Sequence, residues 1–273
     1  MNRFESRANR IDEARLRIDA YYAAVLGCQV SDLRASGWTS LVSRFEDDPM
    51  TLLFGMRQVV YLLAPVCEGS GRAGPAGVAS LAAELHAGME DLLNTARPGE
   101  FFRPESLLRL DRLVRDGARR PLAPSSEAWL SVFYATRGSF QPYLGPWVEW
   151  IERLDESTES DPFALALLAR HGGGVFVVRH HGSIIAYCGL RAFSSDVWEL
   201  TPPCLTASVY AQFVKRPDAL FTALLARATR AAVDDNRVPI CTISHRATRL
   251  RRALLATGYL RYANASVYAT IAP

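Results

Sequence analysis

A strand, an amphipathic helix and a second strand follow one another in the final third of the chain, and this order restricts the fold more than any other feature. The run CLTASVYAQF, residues 204–213, alternates apolar and polar side chains. The helix expected after Asp218 carries a wide apolar stripe. The run VPICTIS that follows is apolar enough to be a buried strand. Since a helix of this kind must cover its stripe with another layer, the pattern predicts an α/β fold.

The sequence also predicts the secondary-structure elements on either side of this unit. The strands Val175–Arg179 and Ile184–Ala192 form a hairpin through a His-His-Gly-Ser turn. The helix HRATRLRRALLATGY is stopped by Gly258, and RYANASVYATI is an alternating strand pair or one bent strand. Upstream, the sequence predicts a strand in AWLSVFYAT, a helix in PWVEWIERLD with proline in its first turn, and a short helix in DPFALALLARHGGG.

The N-terminal half predicts a smaller α/β domain. Residues 8–26 have helical spacing, and WTSLVSRF, TLLFGMR and VVYLLAP have the composition of strands. Residues 76–95 and the run RPESLLRLDRLVRDG predict two further helices. The Pro- and Ser-rich run ARRPLAPSS is the candidate linker. The expected fold class is therefore α/β with a mixed (α+β) sheet, divided into an N-terminal extension, 1–125, and a C-terminal domain, 126–273.

Charge is distributed unevenly along the 273 residues. From residue 201 onward there are ten Lys or Arg and three Asp or Glu, whereas the first two hundred residues carry 21 and 25. A basic final quarter favours an anionic ligand, and the alternative is a solvated arginine-rich surface. No nucleic-acid motif accompanies the basic residues, so a nucleic-acid partner is not expected. No apolar run is long enough to span a membrane, and the N-terminus lacks the features of a secretory signal, so we expect a cytoplasmic protein with no membrane partner.

The cysteines and histidines do not form a metal or disulfide pattern. The five cysteines (Cys28, Cys67, Cys188, Cys204 and Cys241) are widely spaced, mostly among apolar neighbours, and are expected to be buried free thiols. His180 and His181 are adjacent, and neighbouring residues on a strand point to opposite faces, so we expect two exposed turn histidines. No metal cofactor is predicted.

Three stretches together resemble the GNAT superfamily of acyl-CoA N-acyltransferases over residues 127–273. GSIIAYCGL is similar to the family's third strand, VYAQFVKRPDALFTALLARA occupies the position of its pyrophosphate loop and helix, and LRRALLATGY is similar to its helix ending in Gly-Phe or Gly-Tyr. The resemblance implies acetyl-CoA or another acyl-CoA as co-substrate, with its pyrophosphate at a helix start. It places donor-binding residues at Phe213, Val214, Lys215, Arg216, Ala219, Leu220, Phe221, Ser244 and Arg249.

The loop departs from the family pattern. Arg216 matches the family arginine, but Pro217 replaces a glycine and removes an N–H donor, and Phe221 replaces a residue that is usually small. Asp218 adds a negative charge, either as a helix cap or against a phosphate. In the final helix, Ala247 or Thr248 stands at the position of the family's Asn, and Leu254 at that of a Tyr that protonates the leaving thiolate.

Four arginines lie in the N-terminal half of that helix, where the helix dipole disfavours cations unless an anion is bound. They are Arg246, Arg249, Arg251 and Arg252. The alternative is that these arginines extend into solvent. Candidates for the base that deprotonates the amine are Glu199 just before the central strand, Tyr210 on its polar face, and His245 at the end of the next strand.

These observations favour an acyl-CoA-dependent N-acyltransferase acting on an amine of a small molecule or a protein. One alternative is a GNAT-like binding module that has lost catalysis, because the glycines and the tyrosine are missing. Another is transfer from a carrier-protein thioester or an aminoacyl-tRNA. The sequence leaves a homodimer open.

Overall fold

The computed structural model describes residues 3–35, 38–42, 59–65, 77–81, 109, 112, 122–123, 130–172, 174–192, 194–206 and 217–270. The chain forms two compact units. The first unit comprises residues 1–18 and 132–261, and the second comprises residues 19–131 and 262–273. The helices are α1 (Arg3–Leu26), α2 (Val30–Arg34), α3 (Pro162–His171), α4 (Pro217–Asp234) and α5 (Thr248–Ala256).

The strands range in length from two to eleven residues. They are β1 (Trp38–Val42), β2 (Val59–Pro65), β3 (Gly77–Leu81), β4 (Leu122–Ala123), β5 (Leu130–Tyr134), β6 (Ile151–Arg153), β7 (Gly174–His180), β8 (Ser183–Ala192), β9 (Val197–Leu200), β10 (Cys204–Leu205), β11 (Val238–Ser244) and β12 (Leu260–Thr270). The alternating C-terminal run is thus one strand, β12.

The first unit contains a mixed sheet in the order β5-β11-β9-β8-β7-β6. β6, β7, β8 and β9 pair antiparallel, and β10 also pairs antiparallel with β8. β11 pairs parallel with β9, because the chain returns through α4 before it re-enters the sheet. The predicted helix α4 and the strand β11 after it are confirmed, but the strand predicted over 204–213 is described only at β10, and β11 pairs with β9.

Both faces of this sheet are covered by helix. One core cluster joins α4 and α5 to the sheet, and includes the fully buried Leu220, Leu224 and Leu254. A smaller cluster packs Ala164 and Leu167 of α3 on the opposite face of the hairpin strands. α3 begins where the Asp161 carboxylate accepts the N–H of Phe163, with Pro162 in the first turn, and it ends at Gly172.

The second unit contains the strands β1 to β4 and most of β12. β1 pairs parallel with β3, β3 pairs antiparallel with β2, and β2 pairs antiparallel with β12, which also carries β4. Within this unit, the Tyr262 hydroxyl donates to the Asp19 carboxylate at 2.6 Å, and Arg34 donates to the same carboxylate. The ring of Tyr22 stacks on that of Tyr262 at 5.6 Å.

Three predictions about secondary structure are wrong, in each case because a chain segment joins a sheet. The expected helix in PWVEWIERLD is a three-residue 3-10 turn, Val148–Trp150, followed by β6, which pairs with β7. The expected helix over 76–95 contains β3, which pairs on both edges. The candidate linker contains β4. TLLFGMR and most of RPESLLRLDRLVRDG lie outside the described residues.

Candidate functional site

Two neighbouring strands of the first unit part at their carboxyl ends. β11 pairs with β9 from Val238 opposite Val197 to Cys241 opposite Leu200. Past that point residues 201–203 belong to no strand, and the chain continues as β10, which pairs with β8. β11 runs on to Ser244. Among the described residues β10 and β11 do not pair with each other, and we call the space between them the strand gap.

The backbone of β10 presents polar groups toward this gap. The Thr206 N–H donates to the Ile185 carbonyl at 3.0 Å, on the β8 side. Because successive residues of an antiparallel strand direct their N–H groups to alternate sides, the N–H of Leu205 points away from β8. That direction is the side on which β11 lies.

Glu199 lies in β9 itself and not in the loop before a central strand. Its cross-strand neighbours are Arg191 on β8 and Ile240 on β11. Burial raises the pKa of the Glu199 carboxyl, and this effect is opposed by the charge of Arg191 and by a hydrogen bond with Thr242. The result is a carboxyl group held between a cation and a hydroxyl, with a pKa above its usual range.

The start of α4 is the part of the predicted donor site that the structure describes. Leu220 is fully buried in the core, so it offers a ligand only its backbone, whereas Ala219 is partly exposed. Phe221 packs against the core cluster. Phe213, Val214, Lys215 and Arg216, together with Tyr210, lie outside the described residues.

Asp218 faces a cation from the next helix. The Nε atom of Arg249, in the first turn of α5, lies 3.8 Å from its carboxylate, and both side chains are exposed. The carbonyl of Asp218 accepts the hydroxyl of Thr222 at 2.7 Å. The charge that Asp218 brings to the helix start is thus balanced by Arg249, while the N-terminal end of α4 remains the positive end of its dipole.

The end of β11 is closed by a tight turn into α5. The Ser244 hydroxyl accepts the N–H of Arg246 at 3.3 Å, and its carbonyl accepts the N–H of Ala247 at 2.9 Å. His245 is exposed, and its carbonyl accepts a hydrogen bond from Arg251. Partial burial and the charges of Arg251 and Arg261 lower the pKa of His245.

The structure does not bring the two described base candidates together. Glu199 lies opposite Ile240, and His245 comes five residues later, about 16 Å farther along at about 3.3 Å per residue. Leu254 is fully buried, so the position at which the family carries its acid is occupied by a core side chain.

Sequence reasoning missed both the strand β9 and the cluster that flanks Glu199. The run DVWEL was the available signal, since a turn precedes it and Val197 and Leu200 are buried. The other missed residue is His171 at the end of α3, which is 3% exposed with both ring nitrogens lacking a hydrogen-bond partner among the described residues. Burial, aided by the charges of Arg191 and Arg170, lowers the pKa of His171 to about 4, so it is neutral at pH 7.

The histidine pair and the cysteines depart in part from expectation. His180 and His181 are exposed, as predicted, but their ring centroids are 4.1 Å apart and do not point to opposite faces, because His181 adopts a turn conformation with φ 49°. Cys188 and Cys241 are buried free thiols with raised pKa values, but Cys204 is exposed and Cys28 is half-buried. Cys67 lies outside the described residues.

Among the residues that the structure describes, no group of three or more His, Cys, Asp or Glu side chains is arranged to hold a metal ion. Within the same residues, no helix has the length and apolarity that crossing a membrane requires.

Known proteins resemble this chain in structure and not detectably in sequence. No family model and no curated protein matches it. Among solved structures it is similar to a GNAT-family protein from Novosphingobium aromaticivorans (19% identity, 53% of this chain and 66% of that one, TM-score 0.40) and to a GNAT-family acetyltransferase from Colwellia psychrerythraea (13%, 60% and 62%, TM-score 0.34). It is also similar to a GCN5-related N-acetyltransferase from Kribbella flavida (14%, 82% and 93%, TM-score 0.41).

The match covers less than two thirds of the length of the first two of these proteins. Identities and TM-scores are low, so the neighbours' activities are not carried over to this chain. The expected α/β fold with a mixed sheet is present, and several of the solved structures to which the chain is similar are GNAT-family acetyltransferases.

Proposed function

We propose that this protein is an acyl-CoA-dependent N-acyltransferase, which transfers an acyl group, in the simplest case acetyl, to the amine of a small molecule or a protein. The observation that carries the proposal is the strand gap. A pair of parallel strands that is hydrogen-bonded up to Leu200 and Cys241 and then parts creates a slot with backbone donors and acceptors along one wall.

An extended amide-containing arm fits such a slot, because it can pair with a strand edge as a further strand would. The N–H of Leu205 points toward the gap, as the hydrogen bond from Thr206 to Ile185 implies. This N–H is the donor that we assign to the acyl carbonyl, where negative charge develops as the amine attacks. Acyl-CoA supplies the activated thioester, and the amine replaces its sulfur on the acyl carbon.

The positive end of α4 is assigned to the donor's pyrophosphate. Pro217 contributes no N–H, but the next residues of the first turn have N–H groups without partners inside the helix. Arg249 lies within 4 Å of Asp218 at this end and adds a cation. Val214, Lys215 and Arg216 complete the proposed cradle, as the family resemblance implies.

Glu199 is the proposed general base. A base must be unprotonated to accept the proton of an ammonium group, and its efficiency increases as its pKa approaches the working pH. Burial raises the pKa of Glu199 toward neutral pH, while the charge of Arg191 and the hydrogen bond with Thr242 favour the ionised form. His245 lies about 16 Å farther along the sheet, so it is not assigned as the base.

The test is thiol release from acetyl-CoA and longer acyl-CoA donors with a panel of amines. We expect Glu199→Gln to lower kcat by about a hundredfold or more, the usual contribution of a general base. The matched control is Glu156→Gln, since Glu156 is an exposed loop carboxylate. Absence both of thiol release and of a melting-temperature shift with every acyl-CoA would exclude the proposal.

One observation favours a binding module that has lost catalysis. Leu254, at the position of the family's acid, is a fully buried core residue. Calorimetry separates the two functions, because a catalyst must bind acyl-CoA at the strand gap. Carrier-bound thioesters tested beside acyl-CoA would identify a different donor.

A further inference from the structure

Four arginines converge on a cleft at the far end of α4 from the proposed donor site. The cleft has a volume of about 130 Å³ and lies entirely within the first unit. Its walls carry the side chains of Arg10, Arg17, Arg137 and Arg237, and Glu13 is the acidic residue among the residues that line it. The formal charge of this arginine cleft is therefore strongly positive.

One of these arginines has a buried donor without a partner. The Nε of Arg237 is excluded from solvent and makes no hydrogen bond to any described residue. A buried, unpaired N–H of a charged group is unfavourable by more than a neutral hydrogen bond contributes. A guanidinium presents its donors in a fixed fork that matches the oxygens of phosphate and carboxylate groups. An oxyanion in the cleft would meet this guanidinium through its terminal nitrogens and would balance its buried charge.

The backbone around the cleft is already fixed. Asn236 adopts φ 57°, and the N–H of Arg237 closes the end of α4 on the Ala232 carbonyl at 2.8 Å. Arg17 then donates to the Asn236 carbonyl at 3.2 Å, which joins α1 to this turn. These contacts hold Arg237 and Arg17 on the same wall before any ligand arrives.

Arg137, which also lines the cleft, is carried on an equally defined turn. The N–H of Thr136 donates to the Ser139 hydroxyl at 2.9 Å, and the N–H of Ser139 donates to the Thr136 hydroxyl at 3.0 Å. This reciprocal pair fixes the turn that carries the exposed Arg137. Preorganised cations lose less entropy on binding than cations on mobile chains do.

The acidic residues nearby do not neutralise the cleft. Glu13 pairs with Arg17 at 2.6 Å, one helical turn away. Asp234 lies 4.0 Å from Arg230, which is not part of the cleft, and Asp235 is exposed. Glu13 thus supplies one carboxylate against the four guanidinium groups that line the cleft.

We propose that the arginine cleft is a binding site for a small ligand with two neighbouring oxyanion groups, a diphosphate or a dicarboxylate. It is distinct from the proposed donor site, since α4 has 18 residues and separates the two by about 27 Å at about 1.5 Å per residue. A nucleic-acid strand is disfavoured, because no aromatic ring lines the cleft on which a base could stack.

The test uses isothermal calorimetry with inorganic pyrophosphate, inorganic phosphate and succinate on the full chain. We expect binding in the cleft to be tighter for pyrophosphate and succinate, which carry two oxyanion groups, than for phosphate. The affinity should fall as NaCl is added. Pyrophosphate favoured over succinate identifies a diphosphate ligand, and the reverse order identifies a dicarboxylate. Arg237→Gln and Arg137→Gln should each weaken binding about tenfold, since one charge-assisted hydrogen bond is lost.

Two further variants separate this site from other anion sites. Arg230→Gln and Arg227→Gln each remove an exposed arginine of α4 that does not line the cleft, and both should leave pyrophosphate affinity within about twofold. Because Arg137 is exposed on a turn, its variant remains informative if Arg237→Gln impairs folding.

The proposal is overturned if none of the probes binds at millimolar concentration, or if affinity depends on Arg249 and not on Arg137 and Arg237. It is also overturned if a single-stranded oligonucleotide binds more tightly than pyrophosphate through the same arginines. None of these outcomes bears on acyl transfer, which is measured independently at the other end of α4.

Discussion

Replacement of Gly258 by alanine should be among the most destabilising single changes in the first unit. Gly258 ends α5 with φ +84°, where a side chain costs about 1–2 kcal/mol in backbone conformation alone. A Cβ at this position would lie 1.9 Å from the carbonyl oxygen of Ser139 and 3.1 Å from the backbone nitrogen of Gln141. Both are backbone atoms, so no side-chain rotation relieves the contact.

The turn at residues 139–141 must therefore move. The N–H of Gln141 donates to the Thr257 carbonyl at 3.0 Å, and displacement of the turn weakens this hydrogen bond, at about 0.5–1.5 kcal/mol. Forced repacking of a tight contact adds about 1–3 kcal/mol. We expect Gly258→Ala to lower the free energy of unfolding by about 3–6 kcal/mol, a large share of a typical domain's stability of about 5–15 kcal/mol.

Gly172→Ala is the matched control. Gly172 also ends a helix at positive φ, +57°, but a Cβ there would have no atom within 4 Å. It should lose about 1–2 kcal/mol, the conformational part alone. Urea unfolding followed by circular dichroism measures both variants. If the two variants lose the same free energy within about 0.5 kcal/mol, close backbone contact at Gly258 is refuted as the dominant effect.

Three further outcomes follow from buried polar groups in the first unit. Desolvation raises the folded-state pKa of Glu199 above 4.5, so ionisation of this carboxyl removes stability as pH rises from 4.5 through the raised pKa. The stability of Glu199→Gln relative to wild type should therefore increase as pH rises above 4.5, and a flat difference in urea unfolding would argue against desolvation of the charge. The pKa of His171 is lowered to about 4 from 6.5, so wild type should lose stability as pH falls from 6.5 toward 4, while His171→Leu should lose less over that range; equal losses in acid titrations would contradict the assignment. Tyr259→Phe removes the buried hydroxyl that lies 2.7 Å from the Thr229 hydroxyl, and it should lower the free energy of unfolding by about 1–2 kcal/mol. The loss in the double variant with Thr229→Val should be smaller than the sum of the losses in the two single variants. Strict additivity in this double-mutant cycle would show that the two hydroxyls do not interact.

The sequence by itself determined the elements whose signals are local. The Asp161 cap with Pro162 and the stop at Gly172 define α3, the hairpin turn at His181 defines the pairing of β7 with β8, and the apolar stripe after Asp218 defines α4. Each signal lies within a few residues of its own backbone hydrogen bonds. The buried run VPICTIS after α4 was sufficient to predict β11 and the α/β class.

Only the tertiary structure decided where segments with weak local signals belong. Val148–Arg153 has helical spacing, but Ile151–Arg153 forms a strand because β7 supplies hydrogen bonds from residues 176–178. Gly77–Leu81 is likewise held between β1 and β2. Such hydrogen bonds join residues far apart in the chain, and periodicity within a window cannot register them.

The two sites depend on distant residues in the same way. Glu199 was recognised as a carboxylate near a strand, but its position between Arg191 and Ile240 follows from sheet register. The arginine cleft joins α1, the turn at Arg137 and the turn after α4, three segments whose arginines lie at least a hundred residues in sequence from those of the other two. The sequence showed an excess of basic residues near the C-terminus, whereas the convergence of Arg10, Arg17 and Arg137 on Arg237 exists only in the folded chain, because charges act through space and not along sequence.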